Sequence, residues 1–354
     1  MKNVSDRLNR LAESATLAMA RMSRELKAEG HDIIALSLGE PDFDTPQFIK
    51  QAAKQAIDDN FSHYTPVPGL LSLREAICQK FKRDNNLDFT PEQIVTSTGA
   101  KQSLANLCLS LLNPEDEVLL PCPFWVSYAE IIKLAEAIPV EIPSSIASDY
   151  KVSAQQFEAA ITPKTKLLMF SSPCNPSGTV YTQQELEEIA KMLEKYPNIY
   201  VVSDEIYEHI NFTKAHFSIG TIPSMKDRTI TVNGVSKGFA MTGWRVGFIG
   251  APLWIAKACN KVQGQITSAT CAIAQKAIET AVLANPDEVT TEMRSTFLKR
   301  RDMLLKLLNE IPGIKCNVPE GAFYIFPDIS YYFGKKDGEQ TIEDANDLCM
   351  YLLN

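Results

Sequence analysis

The sequence has few histidines and no closely spaced cysteines, and this limits the metal chemistry open to it. Its four histidines lie at positions 31, 63, 209 and 216, with no spacing typical of metal ligands. Its eight cysteines include no Cys-x-x-Cys pair, and a chain of 354 residues does not need disulfide bonds to be stable. We therefore predict that the protein binds no metal and works in a reducing, cytoplasmic environment.

Long apolar runs and an excess of positive charge are also absent. No stretch of about 18 consecutive apolar residues occurs, and Lys and Arg residues interrupt the first 30 positions, so neither a membrane span nor a signal peptide is predicted. The 35 Lys and Arg residues are outnumbered by 43 Asp and Glu residues, which gives a formal net charge of −8. Such a chain has no global positive field to attract phosphate backbones, which argues against a nucleic-acid partner.

What is present is the composition of an ordinary globular protein, with 45% hydrophobic and 22% charged residues. Short apolar runs alternate with amphipathic segments, a pattern typical of an α/β fold with a mainly parallel sheet buried on both faces. Strands are predicted over 94–97, 117–120, 166–170, 199–203, 229–233 and 246–250, and helices over 101–112, 128–135 and 183–196. In such a sheet, functional sites lie at the carboxyl ends of the strands.

The pattern changes after residue 283, which suggests two domains. We expect a large domain over 46–283 and a smaller α+β domain formed by 1–45 together with 284–354. In the smaller domain, the charge pattern predicts a long helix over 286–310, and the apolar run over 321–325 predicts a strand.

The sequence matches the residue spacing of two familiar motifs, but it lacks residues that the function of each motif requires. The segment from Gly234 to Gly238 matches the G-x-S-x-G turn of α/β-hydrolases, but no histidine follows it in the chain. Gly238 and Gly243 have the spacing of a phosphate-binding P-loop, but Trp244 and Arg245 replace its Lys and its Ser or Thr. No G-x-G-x-x-G is present either. The sequence therefore argues against a serine hydrolase and against nucleotide binding.

A set of polar residues at predicted strand exits does indicate a site. Lys237 lies among small and apolar residues, where desolvation lowers the pKa of a lysine and makes it a nucleophile toward carbonyls. Arg245 can grip a phosphate, and Gly99 and Ala100 open a helix whose N-terminal N–H groups favour the same anion. Asp204 ends an apolar strand, where it acts either as a helix N-cap or as the partner of a cation such as a protonated pyridine. Together these groups describe a pyridoxal phosphate (PLP) site.

The motifs around these residues closely resemble those of class I, fold type I aminotransferases, which depend on PLP. The motifs are 204–207 (DEIY), 171–178 (SSPCNPSG) and 236–247 (SKGFAMTGWRVG). Two more, 37–46 (SLGEPDFDTP) and 121–128 (PCPFWVSY), narrow the resemblance to the bacterial aspartate aminotransferase branch, which includes enzymes that act on prephenate. The resemblance runs from about residue 14 to the last residue. It implies a seven-stranded, mainly parallel sheet flanked by helices in the large domain, and a homodimer.

Carried over residue by residue, the resemblance implies three catalytic groups. Lys237 would hold PLP as a Schiff base and then shuttle the proton between the substrate Cα and the cofactor. Asp204 would keep the pyridine nitrogen protonated, so that the ring accepts electrons. Tyr207, together with Asn175, would hydrogen-bond the phenolic oxygen of PLP.

The other expected cofactor contacts come from several segments of the chain. They are Trp125, stacked on the ring, and Ser236, Arg245, Gly99, Ala100 and Lys101 toward the phosphate. Tyr64 would reach the phosphate bound in the other subunit of the dimer.

The expected substrate contacts overlap with this set. Lys101 lies in the first turn of a predicted helix, where a cation opposes the helix dipole, and this suggests a nearby anion. In the resembling branch, a lysine here meets the distal carboxylate of a dicarboxylic substrate, and a threonine near the N-terminus, here Thr16, assists it. A solvated surface lysine is the alternative. Gly39 would offer its backbone to the substrate carboxylate, next to Trp125 and Asn175.

The resemblance therefore predicts ping-pong transamination of L-aspartate with 2-oxoglutarate, giving oxaloacetate and L-glutamate. The alternatives are an aromatic or prephenate aminotransferase, a PLP-dependent β-lyase, or a relative that binds PLP without catalysis. The family continues beyond the point where this sequence stops, with an arginine that clamps the substrate α-carboxylate. We therefore expect this C-terminally truncated form to bind PLP but to transaminate poorly, because poor orientation of the substrate is costly in rate.

Overall fold

The computed structural model describes residues 4–13, 15–36, 38–213 and 216–353, except for the side chains of residues 15–17. The strands are β1 (Ile94–Ser97), β2 (Glu117–Pro121), β3 (Ile138–Ile142), β4 (Thr165–Ser171), β5 (Tyr200–Asp204), β6 (Thr229–Gly234), β7 (Gly247–Gly250), β8 (Lys336–Asp337) and β9 (Gln340–Thr341). The α-helices are α1 (Asp6–Asn9), α2 (Ala15–Ala28), α3 (Gln47–Asp58), α4 (Leu71–Asn85), α5 (Ala100–Leu111), α6 (Ser127–Leu134), α7 (Ala154–Ala160), α8 (Gln183–Leu193), α9 (Leu253–Ile266), α10 (Ala272–Leu283), α11 (Pro286–Asn309) and α12 (Ala345–Leu353).

Strands β1 to β7 form one sheet in the order β1-β7-β6-β5-β4-β2-β3. Strand β7 runs antiparallel to both of its neighbours, and the other neighbouring pairs are parallel. The prediction of a seven-stranded, mainly parallel sheet is therefore confirmed. Strands β8 and β9 form a separate two-stranded hairpin.

Each central strand is apolar on both faces because helices cover both sides of the sheet. In β4, Leu167 and Met169 pack into a core with α5, α6 and α9, whereas Leu168 and Phe170 pack into a second core with α7 and α8. A third core joins α3, α4 and α10 to β1 and β7. Burial on both faces explains why these strands occur in the sequence as continuous apolar runs.

The parallel arrangement brings the loops after β4, β5 and β6 to one edge of the sheet. Ser171, the last residue of β4, pairs with Asp204, the last residue of β5. Asp204 in turn pairs with Val232 near the end of β6. The loops that carry the DEIY, SSPCNPSG and SKGFAMTGWRVG motifs therefore begin side by side.

The long helix predicted over 286–310 is confirmed as α11, and its start shows the local reasons. The Asn285 side chain caps the helix by accepting a hydrogen bond from the backbone of Asp287 at 3.2 Å. Pro286 occupies the first turn, where no backbone donor is needed, and two acidic residues there complement the helix dipole.

The prediction of a strand over 321–325 was wrong. The structure has only an isolated bridge between Asn211 and Gly321 in this segment. Ala322 has a φ of 57°, in the left-handed region, which breaks the extended path. Its N–H bonds Ile210 O at 2.7 Å, while that of Gly321 bonds Gly178 O at 2.9 Å. The segment is therefore attached to two loops of the sheet edge and does not pair as a strand.

Strand β3 was not predicted from periodicity. Its residues Pro139 and Glu141 interrupt the apolar run, and it lies at the edge of the sheet, where proline and a charged side chain are tolerated. In the described part of the chain, no helix is both long and apolar enough to cross a bilayer. The division into a domain over 46–283 and a smaller domain stays a prediction.

Candidate active site

A cavity of about 780 Å³ opens at the sheet edge where the three motif loops begin. Its lining includes most of the residues that the sequence nominated: Gly39, Ala100, Lys101, Trp125, Asn175, Asp204, Tyr207, Ser236, Lys237 and Arg245. Residues more than 200 positions apart in the sequence therefore meet in one place. The segment over 319–326 and the side of α11 close the opposite wall.

Lys237 projects into this cavity from the loop that follows β6. Its Nζ donates a hydrogen bond to the carbonyl oxygen of Gly39 at 2.7 Å and lies 5.9 Å from the centre of the Tyr207 ring. Burial lowers the pKa of the Lys237 amine to about 8, and the nearby charge of Glu40 only partly opposes this effect. A substantial fraction of the amine is therefore neutral, and nucleophilic, near physiological pH.

Asp204 is a buried carboxylate, only 4% exposed, at the end of β5. Its Oδ2 accepts a hydrogen bond from the Tyr128 hydroxyl at 2.7 Å, and its Oδ1 accepts one from the Ile206 backbone at 3.2 Å. Among the residues described, no cation lies within ion-pair distance of it. Burial raises the pKa of Asp204 to about 6, although both hydrogen bonds oppose this shift. The carboxylate is therefore poised to receive a cation from a ligand.

The alternative interpretation of Asp204 as a helix N-cap was wrong. The residues from 206 to 209 form turns, and no helix begins there. The hydrogen bond from the Ile206 N–H to Oδ1 of Asp204 closes a local side-chain turn. Oδ2 of Asp204 accepts the hydrogen bond from the Tyr128 hydroxyl instead.

Tyr207 lies within a small group of polar side chains on the next turn. Its hydroxyl is 2.6 Å from that of Tyr324, and the Asn175 amide donates to it at 3.5 Å. Burial holds the pKa of Tyr207 well above its usual value. The phenol is therefore protonated at neutral pH and can donate to an acceptor in the cavity.

The start of α5 forms an anion pocket with the loop that carries Arg245. Gly99 precedes the helix with a φ of 82°, and no side chain caps the first N–H groups. A Cβ at Gly99 would overlap the guanidinium of Arg245, and a Cβ at Gly247 would overlap the backbone of Ala100. Both glycines are therefore needed for the close approach that places a guanidinium beside a helix N-terminus, an arrangement suited to a phosphate.

Arg245 itself has a φ of 55°, in the left-handed region that disfavours residues other than glycine. Its Nη1 donates to the carbonyl of Thr242 at 2.9 Å. Ser236 also lines this part of the cavity and is buried. The strained backbone and the bond to Thr242 together point the guanidinium toward α5.

Lys101 lies on the outer side of the anion pocket. Its Nζ lies 4.8 Å from the centre of the Trp125 ring, and it has no carboxylate partner within the part of the chain that is described. Desolvation, with the charge of Arg245, lowers the pKa of Lys101. This cation lines the cavity, where an anionic ligand group could meet it, but Lys101 is an exposed residue, so the alternative of a solvated lysine stays open.

Two of the nominated residues that the structure describes, Tyr64 and Gly99, do not line the cavity, although Ala100 beside Gly99 does. Tyr64 is 98% exposed on the connection between α3 and α4 and is not part of the lining. Its assignment to the site of another subunit stays a prediction. The side chain of Thr16 lies outside the described residues.

Sequence reasoning missed two residues that contact the predicted catalytic groups. Tyr128 lies in the motif that the sequence singled out, three residues after Trp125, and its place in that motif was a usable signal. Tyr324 was assigned to a strand, and nothing local in the sequence indicates that its hydroxyl would reach Tyr207.

Behind Asp204, away from the cavity, the structure buries a second set of charges. Two groups there have the ligand types and the spacing for a metal ion: Asp84, Glu208 and His209, and Glu205, Glu208 and His216. The ammonium of Lys80 already forms an ion pair with Glu208 and donates to Asn85 at 2.5 Å. A resident cation therefore already pairs with the carboxylate that the two groups share, and the absence of a metal stays a prediction.

Comparison with known proteins shows extensive similarity. A sequence model of the family described as aminotransferase class I and II matches residues 31–354. The aspartate/prephenate aminotransferase of Cereibacter sphaeroides is 45% identical over 337 residues, 95% of this chain and 84% of that protein. The crystal structure of the aspartate aminotransferase from Rhizobium meliloti matches with a TM-score of 0.95 at 39% identity, covering 99% of this chain and 88% of that one. The aspartate aminotransferase from Thermus thermophilus, solved with maleate, matches with a TM-score of 0.88 at 39% identity, covering 94% and 86%.

Proposed function

This chain belongs to the class I and II aminotransferases, and we propose that it transfers the amino group of L-aspartate to 2-oxoglutarate, giving oxaloacetate and L-glutamate. Its cofactor is pyridoxal 5′-phosphate, its fold is PLP fold type I, and it falls in the aspartate/prephenate branch. One observation carries the proposal. A single cavity joins the Lys237 amine of lowered pKa, the buried Asp204 carboxylate, which has no cation partner among the described residues, and the anion pocket at the start of α5.

The residues of the cavity fit PLP at three points. Asp204 offers a buried negative charge to a protonated ring nitrogen, and the Gly99–Arg245 cradle offers a guanidinium and free N–H groups to a phosphate. Lys237 offers an amine to an aldehyde. When bound, PLP supplies a carbonyl that condenses with amines and a ring that accepts electrons from the substrate Cα.

Lys237 is also suited to move a proton during the reaction. Because its pKa is lowered to about 8, Nζ both accepts and releases a proton close to neutral pH, as a general acid and base should. Tyr207 and Asn175 present donors on one side of the cavity, and Trp125 presents an aromatic ring edge-on to Tyr128. We assign ring-oxygen binding to the first two residues and ring stacking to Trp125.

The preference for a dicarboxylic substrate rests on Lys101. Its ammonium faces the cavity without a carboxylate partner among the described residues, and a second carboxylate on the substrate would supply one. The Thermus relative was solved with maleate, itself a dicarboxylate, and the Cereibacter relative is named for aspartate and prephenate. The carbonyl of Gly39 accepts the hydrogen bond from Lys237 Nζ. We assign the backbone of Gly39 to the binding of the substrate α-carboxylate.

Two wider assignments complete the proposal. The chain acts as a homodimer in which Tyr64, whose side chain is fully available at the surface, reaches the phosphate bound in the partner. The protein works in the cytoplasm, since all eight of its cysteines are free thiols.

The experiment that tests the function combines a substrate panel with Lys101→Met. Purified protein saturated with PLP is assayed for formation of L-glutamate from 2-oxoglutarate with L-aspartate, L-tyrosine or L-alanine as donor. We expect L-aspartate to be the preferred donor of the three, and a rise of roughly tenfold in KM for L-aspartate in Lys101→Met, because a charge-assisted contact is lost. The matched control is Lys257→Met, an exposed lysine on α9 outside the cavity.

The other outcomes discriminate the alternatives. Preference for L-tyrosine over L-aspartate, with the KM unchanged in Lys101→Met, would replace the aspartate assignment by an aromatic one. Release of ammonia and a 2-oxo acid without any acceptor would indicate a β-lyase. PLP binding with no turnover of any donor would indicate a relative that binds the cofactor without catalysis.

A further inference from the structure

The Tyr324 hydroxyl lies between two groups of the site and is 2.6 Å from the Tyr207 hydroxyl. A Cβ at Gly39 would overlap the Tyr324 phenol, so that residue 39 must lack a side chain for the phenol to lie there. The carbonyl of Gly39 in turn accepts the hydrogen bond from Lys237. Tyr324 therefore packs against the backbone that holds the lysine and against the tyrosine assigned to the ring oxygen.

Backbone contacts hold Tyr324 in this position independently of its hydroxyl. The preceding residues Gly321 and Ala322 donate to the carbonyls of Gly178 and Ile210 at 2.9 and 2.7 Å. The Tyr324 ring packs 4.7 Å from that of Phe323 and 5.7 Å, edge to face, from that of Tyr207. Removal of the hydroxyl should therefore leave the ring in place, because packing and backbone bonds do not depend on it.

The hydrogen bond between the two phenols has two possible directions, and only one is useful to a ligand. Burial raises the pKa of Tyr324 to about 12 and that of Tyr207 well above its usual value, so each hydroxyl keeps its single proton at neutral pH. If Tyr207 donates to Tyr324, it has no proton left for the cavity. If Tyr324 donates to Tyr207, the Tyr207 proton is free, and the incoming bond makes Tyr207 a stronger donor.

We propose that Tyr324 is a positioning residue, which donates its proton to the Tyr207 oxygen and so directs the Tyr207 proton to the phenolic oxygen of PLP. The proposal rests on the proposed function, since it requires PLP in the cavity. The amide of Asn175 also donates to the Tyr207 oxygen, at 3.5 Å, and this contact leaves the Tyr207 proton free for the ligand. Tyr324 thereby favours the deprotonated form of the ring oxygen without touching the substrate.

The test is Tyr324→Phe, measured by titrating the visible absorbance of the PLP-bound protein against pH, without substrate. Weaker donation by Tyr207 leaves the ring oxygen less stabilised as an anion, so the cofactor should keep its proton to higher pH. We expect the spectral midpoint to rise by about half a pH unit or more, the size of one neutral hydrogen bond. The affinity for PLP, measured by titration, should fall several-fold.

The matched control is Tyr332→Phe, which removes a hydroxyl bonded to the Pro312 carbonyl at 2.6 Å, outside the cavity lining. It removes one tyrosine hydroxyl that makes a hydrogen bond of the same length, and the spectral midpoint should not change. If the Tyr324→Phe protein binds PLP with an unshifted spectral midpoint, or if it only melts at a lower temperature, the role proposed for Tyr324 is overturned and the proposed function is not. Failure of the unmutated protein to bind PLP would overturn the proposed function and this inference with it.

Discussion

The Tyr128 hydroxyl donates a hydrogen bond of 2.7 Å to Oδ2 of Asp204 in the interior of the protein. Tyr128 is 1% exposed on α6, and Asp204 is the last residue of β5. The pKa of Tyr128 is held well above its usual value by burial and by the Asp204 charge, so the phenol remains a donor. The bond therefore opposes the effect of burial on Asp204 and favours its ionised form.

Loss of this donor should weaken cofactor binding in a pH-dependent way. In Tyr128→Phe, the pKa of Asp204 rises above about 6, because the hydrogen bond that lowers it is gone. At pH 7 fewer molecules then carry the carboxylate that a ring cation needs, and we expect PLP affinity to fall roughly tenfold. At pH 9, where Asp204 is ionised in both proteins, the loss should be smaller. Absorbance titration with PLP at the two pH values measures this loss of affinity.

The control for Tyr128→Phe is Tyr181→Phe. Tyr181 is also a buried tyrosine, but its hydroxyl bonds the carbonyl of Val152 at 3.3 Å, away from the cavity. Equal loss of affinity at both pH values, or the same loss in the control, would contradict the assigned role of Tyr128.

The buried charge of Asp204 should destabilise the cofactor-free protein at neutral pH. Its folded pKa of about 6 lies above the value of 3.8 for an unperturbed aspartate, so the folded state keeps a proton that the unfolded chain has released. The contribution of Asp204 to the free energy of unfolding therefore falls as pH rises from about 4 to 6, and the deficit is complete above that range. Asp204→Asn should then be more stable than the unmutated protein at pH 8, by up to about 3 kcal/mol.

Urea unfolding of the two cofactor-free proteins at pH 4.5 and pH 8 measures this difference. The gain of Asp204→Asn should be roughly threefold smaller at pH 4.5 than at pH 8, and it should be accompanied by loss of PLP-dependent turnover. A substitution that destabilises the protein equally at both pH values would show that burial of the charge is not costly.

The buried ion pair of Lys80 and Glu208 should be a strong determinant of stability. Both side chains are less than 5% exposed, so Lys80→Met leaves an uncompensated charge in the interior. We expect a loss of about 3–5 kcal/mol in the free energy of unfolding, measured by urea titration of the PLP-free protein. The double variant Lys80→Met with Glu208→Gln should recover part of it, because the charge is removed as well.

Lys82→Met is the control on the same helix. Lys82 forms an exposed ion pair with Asp88 at 2.9 Å, and such pairs contribute about 1 kcal/mol or less. If Lys80→Met lowers the free energy of unfolding no more than Lys82→Met does, the buried ion pair does not stabilise the protein as its burial indicates.

Gly99→Ala should weaken binding at the anion pocket. The new Cβ would overlap the Arg245 guanidinium and displace it from the start of α5, besides straining a backbone with a φ of 82°. We expect PLP and inorganic phosphate to bind roughly tenfold or more weakly, measured by titration, because a bidentate contact is disturbed. The control is Gly334→Ala, where φ is 80° and nothing lies within 4 Å. Retained phosphate affinity in Gly99→Ala would show that Arg245 is not held by this contact.

The sheet was predictable because each central strand is buried on both faces and so consists of a continuous apolar run. The edge strand β3, over Ile138–Ile142, carries no such run, since one of its faces is partly exposed. The apolar segment over 321–325 had the composition of a strand, but the left-handed backbone at Ala322 redirects it into contacts with loops. Local sequence does not reveal this redirection, because it depends on which carbonyls the segment meets.

The sequence by itself determined the chemistry of the site, because the nature of Lys237, Asp204 and Arg245 and their places after strands already define a nucleophile, a carboxylate and an anion anchor. Only the tertiary structure decided how these groups are tuned. Burial sets the pKa values of Lys237 and Asp204, and burial is a property of the packed molecule. The partner hydroxyls of Tyr128 and Tyr324 lie 76 and 117 positions from the residues that they contact, and folding alone brings them within hydrogen-bond distance.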